Sequence, residues 1–486
     1  MVPTADGPDA PGSGPEGDGA ARPSPDAEPG AGGVGRSPEF RHAVTLAVAA
    51  ALVGLTSLLT TVFVAHVLTT RGYGTLIVLL SLFLVVSMPT GSALLVGVVR
   101  RTSAWESAGL GAKVKPWVAR VHRIGQSAVV VLAVAMFLLR VPIAHALSLP
   151  GPAGVTEILT AGGVWVLVSI DRGLLQVTRA HIDLSVNLVL EGGLRTVLTV
   201  AMAAELGVEG AALGVLFSEL LTAAHARYTS TRALRRTLGA ATAPEPPEEI
   251  PEIGVEATGG VVALSVHGGR DLAADVLTAL GSLLLLTVLQ NADVVLLGSR
   301  APHHAGSYAA VSVPSKALVY GALVLINYLL PEATIRHQQG SHALRQLGYT
   351  FGVLAMPCAL LLLLSVFSPH RLLSLVFGHK LTAAAPAFAE LVLAMVLLSA
   401  TLVLAIYLLG IGWRGVIVVL ALGAGAVVAL TWLGDGQYVR TARGDLVAQA
   451  GLLAVMVVCF VVVYRRTAHR RPVLGDAPEE AAGSVA

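Results

Sequence analysis

The chain has 486 residues, of which 55% are hydrophobic, 13% charged and 5% aromatic. A soluble domain carries roughly 25% charged residues, so these figures exclude a single soluble globule and a disordered protein, and two cysteines exclude a disulfide scaffold. Residues 1–40 hold seven acids and two bases, so residues 41–486 carry a formal +7 against +2 for the whole chain.

The elements follow in chain order. Residues 1–40 contain eight Pro and nine Gly, too little apolar surface to offset the entropy of ordering, and are expected to be a disordered tail. The first apolar run, 42–68, is too long for a signal-peptide core and reads as a retained span. A bilayer crossing needs ~20 apolar residues. That length gives spans at 42–68, 73–99, 124–147, 153–176, 183–206 and 208–227, then at 272–298, 305–331, 347–368, 381–410, 413–434 and 443–464. Residues 101–123, with Trp105 and Trp117 among bases, read as an interfacial amphipathic stretch or an ordinary loop. The Pro/Glu-rich stretch within 228–271 reads as a cytoplasmic linker, since so long a structureless loop is unusual inside a compact unit. The domains are then 41–227 (helices 1–6), the linker, 272–466 (helices 7–12) and a disordered tail over 467–486.

Lys and Arg set the orientation. One set of loops carries Arg100, Arg101, Lys113, Lys115, Arg120, Arg123, Arg179, Arg227, Arg232, Arg235 and Arg236, and the other carries far fewer, such as Arg71, Arg300 and Lys380. Both termini are therefore expected in the cytoplasm, with the protein multi-pass in the plasma membrane. Cys358 and Cys459 lie inside apolar runs and read as packing residues. The bases interrupt apolar runs instead of forming one stripe, so nucleic acid is not an expected partner.

Two short matches point to an internal repeat. Tyr73 in Arg71-Gly72-Tyr73-Gly74 and Tyr308 in Gly306-Ser307-Tyr308-Ala309 are 235 positions apart, and Leu174-Leu175-Gln176 matches Leu408-Leu409-Gly410 at an offset of 234. Together with equal helix numbers they predict an all-α membrane protein of about twelve helices in two six-helix lobes related by a pseudo-two-fold repeat.

The motifs Ala65-His66-Val67-Leu68-Thr69-Thr70-Arg71-Gly72-Tyr73-Gly74, Asn291-Ala292-Asp293-Val294-Val295-Leu296-Leu297-Gly298 with Gly306-Ser307-Tyr308, Leu330-Pro331, and Phe377-Gly378 before the alanine-rich run to Pro386 resemble the polysaccharide-exporter branch of the multidrug/oligosaccharidyl-lipid/polysaccharide (MOP) flippase superfamily. The resemblance spans 42–466. Met88-Pro89-Thr90 departs from the branch's usual acidic motif in helix 2, and Thr70-Arg71 stands where a proline is common. The resemblance implies a flippase for a lipid-linked oligosaccharide or polysaccharide precursor. Its partners would be that lipid, the bilayer and the glycosyltransferases or polymerase of a glycan pathway. The alternatives are a multidrug/cation antiporter of the same superfamily and a non-transporting scaffold of a glycan-assembly complex.

Charges at membrane depth are rare and usually face a cavity or a partner. A diphosphate carried past hydrocarbon needs fixed cations, and arginine suits phosphate through its planar fork. Arg172, Arg195, Lys316 and Arg140 are the candidate substrate contacts. Asp293, Glu191, Asp171 and Glu390 are candidates for coupling or ion pairing. Two alternatives stand beside this reading: Asp171 and Arg172 facing cytoplasmic water, and Glu191 with Arg195, four residues apart, forming a structural pair. No Gly-rich phosphate loop, metal-spaced His/Cys cluster or nucleophile elbow is present, so neither a cofactor nor an enzymatic activity is expected.

Overall fold

The computed structural model describes residues 38–107, 110, 113–240, 269–338, 344–410, 413 and 415–468. The tail over 1–37, the linker core over 241–268 and the tail from 469 lie outside the described residues. Those described form twelve α-helices and one 3-10 helix: α1 (Pro38–Val67), α2 (Thr70–Ser107), α3 (Val114–Ala146), α4 (Val155–Val177), α5 (His181–Ala240), α6 (Gly269–Arg300), α7 (Pro302–Gln338), α8 (Leu344–Phe367), α9 (Pro369–Phe377), the 3-10 helix (His379–Ala387), α10 (Phe388–Gly410), α11 (Val416–Trp432) and α12 (Tyr438–Ala468). No strand occurs among the described residues. Among the described residues, eight helical stretches are long and apolar enough to cross a membrane, and Leu52–Val67 and Val416–Trp432 are shorter apolar helices. The chain is a multi-pass membrane protein.

The twelve expected spans map onto these elements, with α5 supplying two. At Gly207 the backbone takes φ 64° and ψ −136°, a conformation glycine reaches without a Cβ clash. The chain folds back there. A Cβ on Gly210 or Gly214 would lie 1.9 Å from the Met202 carbonyl or 2.5 Å from the Leu198 carbonyl, so glycines let the two arms touch backbone to backbone. The second arm continues helical to Ala240, thirteen residues past the end of the span expected at 227. Residues 101–123 are likewise mostly helical: α2 runs to Ser107 and α3 starts at Val114. The span expected from 381 instead begins with the 3-10 helix, which holds Pro386, and α10 starts at Phe388.

In the first half α4 packs on α2, α3 and α5; in the second, α10 packs on α7, α8 and α12, and α11 on α6 and α12. The halves meet where α2 packs on α6 and α7. Lipid removes the usual hydrophobic drive between helices, so close packing of small residues carries much of the cohesion. The contact at the starts of α2 and α7 is of this kind. A Cβ on Gly306 would lie 1.9 Å from the Thr70 carbonyl, and one on Gly74 would lie 2.4 Å from the Gly306 nitrogen. The repeat-related Tyr73 and Tyr308 are both fully buried there. Lys380 from the 3-10 helix ties the same end, donating to the carbonyls of His66 (3.2 Å) and Leu68 (2.5 Å) at the end of α1.

Gly306→Ala is expected to force this seam apart at a cost of about 1–3 kcal/mol, read as a lower melting temperature in detergent. Gly281→Ala is the control. Its Cβ meets nothing within 4 Å, so that change should be neutral or mildly stabilising. Equal behaviour of the two variants would show that the seam is not a tight contact.

Apolar side chains cover much of the outside. On α3, Val131, Leu138 and Val141 are at least half exposed, as are Met356 and Phe367 on α8. These faces suit lipid, whereas in water they would be aggregation-prone patches. Cys358 is buried, Cys459 half-buried, and both are free thiols.

Candidate functional site

The intramembrane charges gather into two clusters, one in each half. In the first half, Arg172 on α4 is 2% exposed and Glu191 on α5 is 5% exposed. Arg172 donates through Nη2 to Glu191 Oε2 (2.5 Å) and through Nε to Asn187 Oδ1 (2.9 Å). Arg195, one turn after Glu191, donates through Nη2 to Glu191 Oε1 (2.5 Å) and to Glu219 Oε1 on the second arm of α5. Its guanidinium lies 5.8 Å from the Phe83 ring of α2. Helical spacing explains the alignment: Asn187, Glu191 and Arg195 recur every four residues, so they share one face of the first arm.

Asp171 forms an adjoining knot. It is 2% exposed, with His122 Nε2 at 3.1 Å, the Ser230 hydroxyl donating at 2.7 Å and Arg227 Nη1 donating at 3.5 Å. This knot pins α3, α4 and α5 together. Neither Asp171 nor Arg172 faces water.

In the second half, Asp293 on α6 is fully buried and Lys316 on α7 is 7% exposed. Lys316 Nζ lies 3.2 Å from Asp293 Oδ1, and the Ser312 hydroxyl donates to Oδ2 at 3.4 Å. Asp445 on α12 is also fully buried and lies within electrostatic range of both Asp293 and Lys316. Gln449, one turn on, donates to Asp445 Oδ1 (3.2 Å) and to the Leu289 carbonyl (3.4 Å). Among the described residues Asp445 Oδ2 and Gln449 Oε1 have no hydrogen-bond partner, and the buried Tyr308 side chain lies beside Asp293. Lys316 is thus paired with Asp293, and Asp445 is a second buried carboxyl in the same neighbourhood.

The structure thus joins Asp171, Arg172, Glu191 and Arg195 in one half, and Asp293 with Lys316 in the other. Arg140 joins neither cluster: its guanidinium lies 4.1 Å from the Phe137 ring, beside the exposed Leu138, Leu139 and Val141. Its place on this outward face of α3 removes it from the expected central cavity. Glu390, in the first turn of α10, accepts from Arg443 Nε at 2.7 Å; the Arg443 side chain is 67% exposed, so this is a peripheral pair. Sequence reading missed Asp445, Asn187, His122 and Ser230. An acid at Asp445 with an amide four residues on, at the start of an apolar run, was the available signal.

Between the halves runs a narrow cleft lined by Met88 of α2, Leu286, Thr287 and Gln290 of α6, Val319 of α7 and Leu398 of α10. Its lining carries no charge. No group of three or more His, Cys, Asp or Glu suited to a metal ion occurs among the described residues.

No protein-family model matches the chain, and no curated protein sequence matches it. Solved structures do. The chain is similar to an inward-facing multidrug resistance MATE family transporter of the MOP superfamily, 13% identical with a TM-score of 0.62 over 87% of this chain and 99% of that one. An outward-facing transporter of the same description is 14% identical, with a TM-score of 0.56 over 88% and 95%. A MOP superfamily transporter from Pyrococcus furiosus, described by the reverse polarity of its binding pocket, is 15% identical, with a TM-score of 0.53 over 88% and 96%. The chain therefore has the MATE/MOP transporter fold. The first two are multidrug transporters, so the likeness carries the superfamily fold and not the polysaccharide-exporter branch.

Proposed function

We propose that the chain is an ion-coupled transporter that exports lipophilic organic cations by alternating access, the buried carboxylate pair Asp293–Asp445 beside Lys316 being its coupling site. One observation carries this reading. Every buried cation considered for a diphosphate is already held by a carboxylate: Arg172 by Glu191, Arg195 by Glu191 and Glu219, Lys316 by Asp293. The deep charge left over is negative and sits at Asp445.

A surplus carboxylate away from water is costly unless a proton or cation joins it. That cost makes the site responsive to an ion gradient. Oxygen atoms without partners around Asp445 suit a proton or a hard monovalent cation, which takes oxygen ligands. The uncharged cleft between the halves offers apolar contact and the Thr287 and Gln290 side chains to the body of a lipophilic molecule. Solved relatives of this fold include one described by reversed pocket polarity, so polarity is read from the charges of this chain.

The test is gradient-driven movement of tetraphenylphosphonium in proteoliposomes. Uptake that follows an imposed proton or sodium gradient and collapses with an ionophore is the expected result. No movement under either gradient would overturn the reading.

A further inference from the structure

The loop charge asymmetry assigns one end of the bundle to the cytoplasmic leaflet, and on that end the ends of α2, α3 and α5 converge. Val98 of α2, Val114 and Val118 of α3, Leu174 of α4 and Leu234 of α5 form one buried apolar cluster, with Trp105 and Trp117 packed against it. The Asp171 knot fastens α3, α4 and α5 from inside, through His122, Arg227 and Ser230.

Around this cluster the cations are exposed. Lys113, Lys115, Arg120 and Arg123 lie on α3 or at its start. Arg232, Arg235 and Arg236 flank Leu234 on α5. None of these seven is in an ion pair among the described residues. Residues 94–123 hold one acid, Glu106, and residues 220–244 hold none; the next acids in the chain, from Glu245, belong to the Pro/Glu-rich stretch outside the described residues.

The aromatic pair fixes the depth of the patch. Trp105 and Trp117 meet edge to face at 5.5 Å, and the Arg101 guanidinium lies 4.8 Å from the first ring and 5.9 Å from the second. Tryptophan collects at the headgroup level, where an amphipathic ring has one wet and one apolar side. Arginine held over the ring keeps its charge at that same level.

We propose that this face is a binding site for anionic phospholipid headgroups of the cytoplasmic leaflet, and that lipid held there clamps α3 and α5 against α2. The phosphate lies where the tryptophans place the interface, the lysines and arginines supply charge, and the acyl chains continue along the exposed apolar face of α3. Setting orientation needs only an excess of bases in loops. Here they are concentrated around one apolar cluster joining four helices, which gives a lipid something to hold together. The proposal is independent of what is transported.

The experiment is thermal unfolding of the full chain in detergent with added phosphatidylglycerol or phosphatidylcholine. Phosphatidylglycerol is expected to raise the melting temperature by roughly 5 °C, and phosphatidylcholine by little, because a ligand of the folded state stabilises by mass action. About 0.5 M salt should remove most of the difference by screening. A variant carrying Lys113→Gln, Lys115→Gln, Arg232→Gln, Arg235→Gln and Arg236→Gln should lose at least half of the shift. Arg371→Gln, on α9 away from the patch, should keep it. Equal shifts with both lipids, or an undiminished shift in the five-site variant, would overturn the proposal. So would a response to an acidic peptide with none to phosphatidylglycerol. If the five-site variant fails to fold, loss of the shift in wild-type protein at high salt remains the deciding measurement.

Discussion

Replacing Glu191 with glutamine is expected to cost about 3–5 kcal/mol of stability, the usual effect of removing one partner from a buried ionic network. Glu191 is 5% exposed and accepts from both Arg172 and Arg195. Without its charge, Arg172 is left with neutral acceptors only, Asn187 and the glutamine amide oxygen, and two guanidinium groups remain beside one carboxylate, Glu219. The measurement is thermal unfolding in detergent beside transport at permissive temperature. A structural lock predicts a large drop in melting temperature with residual transport of every substrate. A direct substrate contact predicts unchanged melting and a selective loss. Arg195→Gln combined with Glu219→Gln, which removes both charges of one pair, should be milder than Glu191→Gln alone.

The second large effect is on coupling. Asp445→Asn removes the surplus charge and leaves Lys316 paired with Asp293. It should therefore fold normally and lose gradient-driven transport by roughly tenfold or more, since an intramembrane carboxylate is where the driving ion acts. Exchange of labelled for unlabelled substrate without a gradient should survive. Lys316→Met is expected to do the opposite to the fold, because it leaves two buried carboxylates facing each other, and Asp293→Asn added to it should restore melting. Gradient-driven transport by Asp445→Asn at the wild-type rate would remove this cluster from coupling.

Much of the fold was legible from the sequence. Apolar runs of membrane length and glycine at the hairpin turn mark features present in the structure, and the matched Tyr73 and Tyr308 are both buried where α2 meets α7. Gly207 was readable as a turn because it falls between two runs of membrane length, 183–206 and 208–227. The true helix ends at Ser107, Val114 and Ala240 were not readable, because hydropathy follows the bilayer core and these helices run past it on basic, water-facing turns.

The candidate site was legible in part. An arginine inside an apolar run announces that something holds it, and the i, i+4 spacing of Glu191 and Arg195 named one partner correctly. Sequence spacing cannot reveal a partner on another helix. Glu219 reaches Arg195 across the α5 hairpin, and Asp445 reaches the Asp293–Lys316 pair from α12, more than a hundred residues away. Those two carboxylates reverse the sign of the site. Counting arginines along the chain favoured an anionic lipid; counting charges by cluster balances the first half and leaves a surplus carboxyl in the second, which favours a cation.

The measurement that bears most directly on this account is a competition in one vesicle preparation. Proteoliposomes under a proton or sodium gradient receive tetraphenylphosphonium and a fluorescent lipid-linked diphosphate sugar, and movement of each is followed with wild-type protein and with Asp445→Asn. The account predicts gradient-driven movement of the organic cation that Asp445→Asn abolishes, with the lipid-linked sugar staying in its leaflet. Translocation of the lipid-linked sugar without movement of the cation would contradict it.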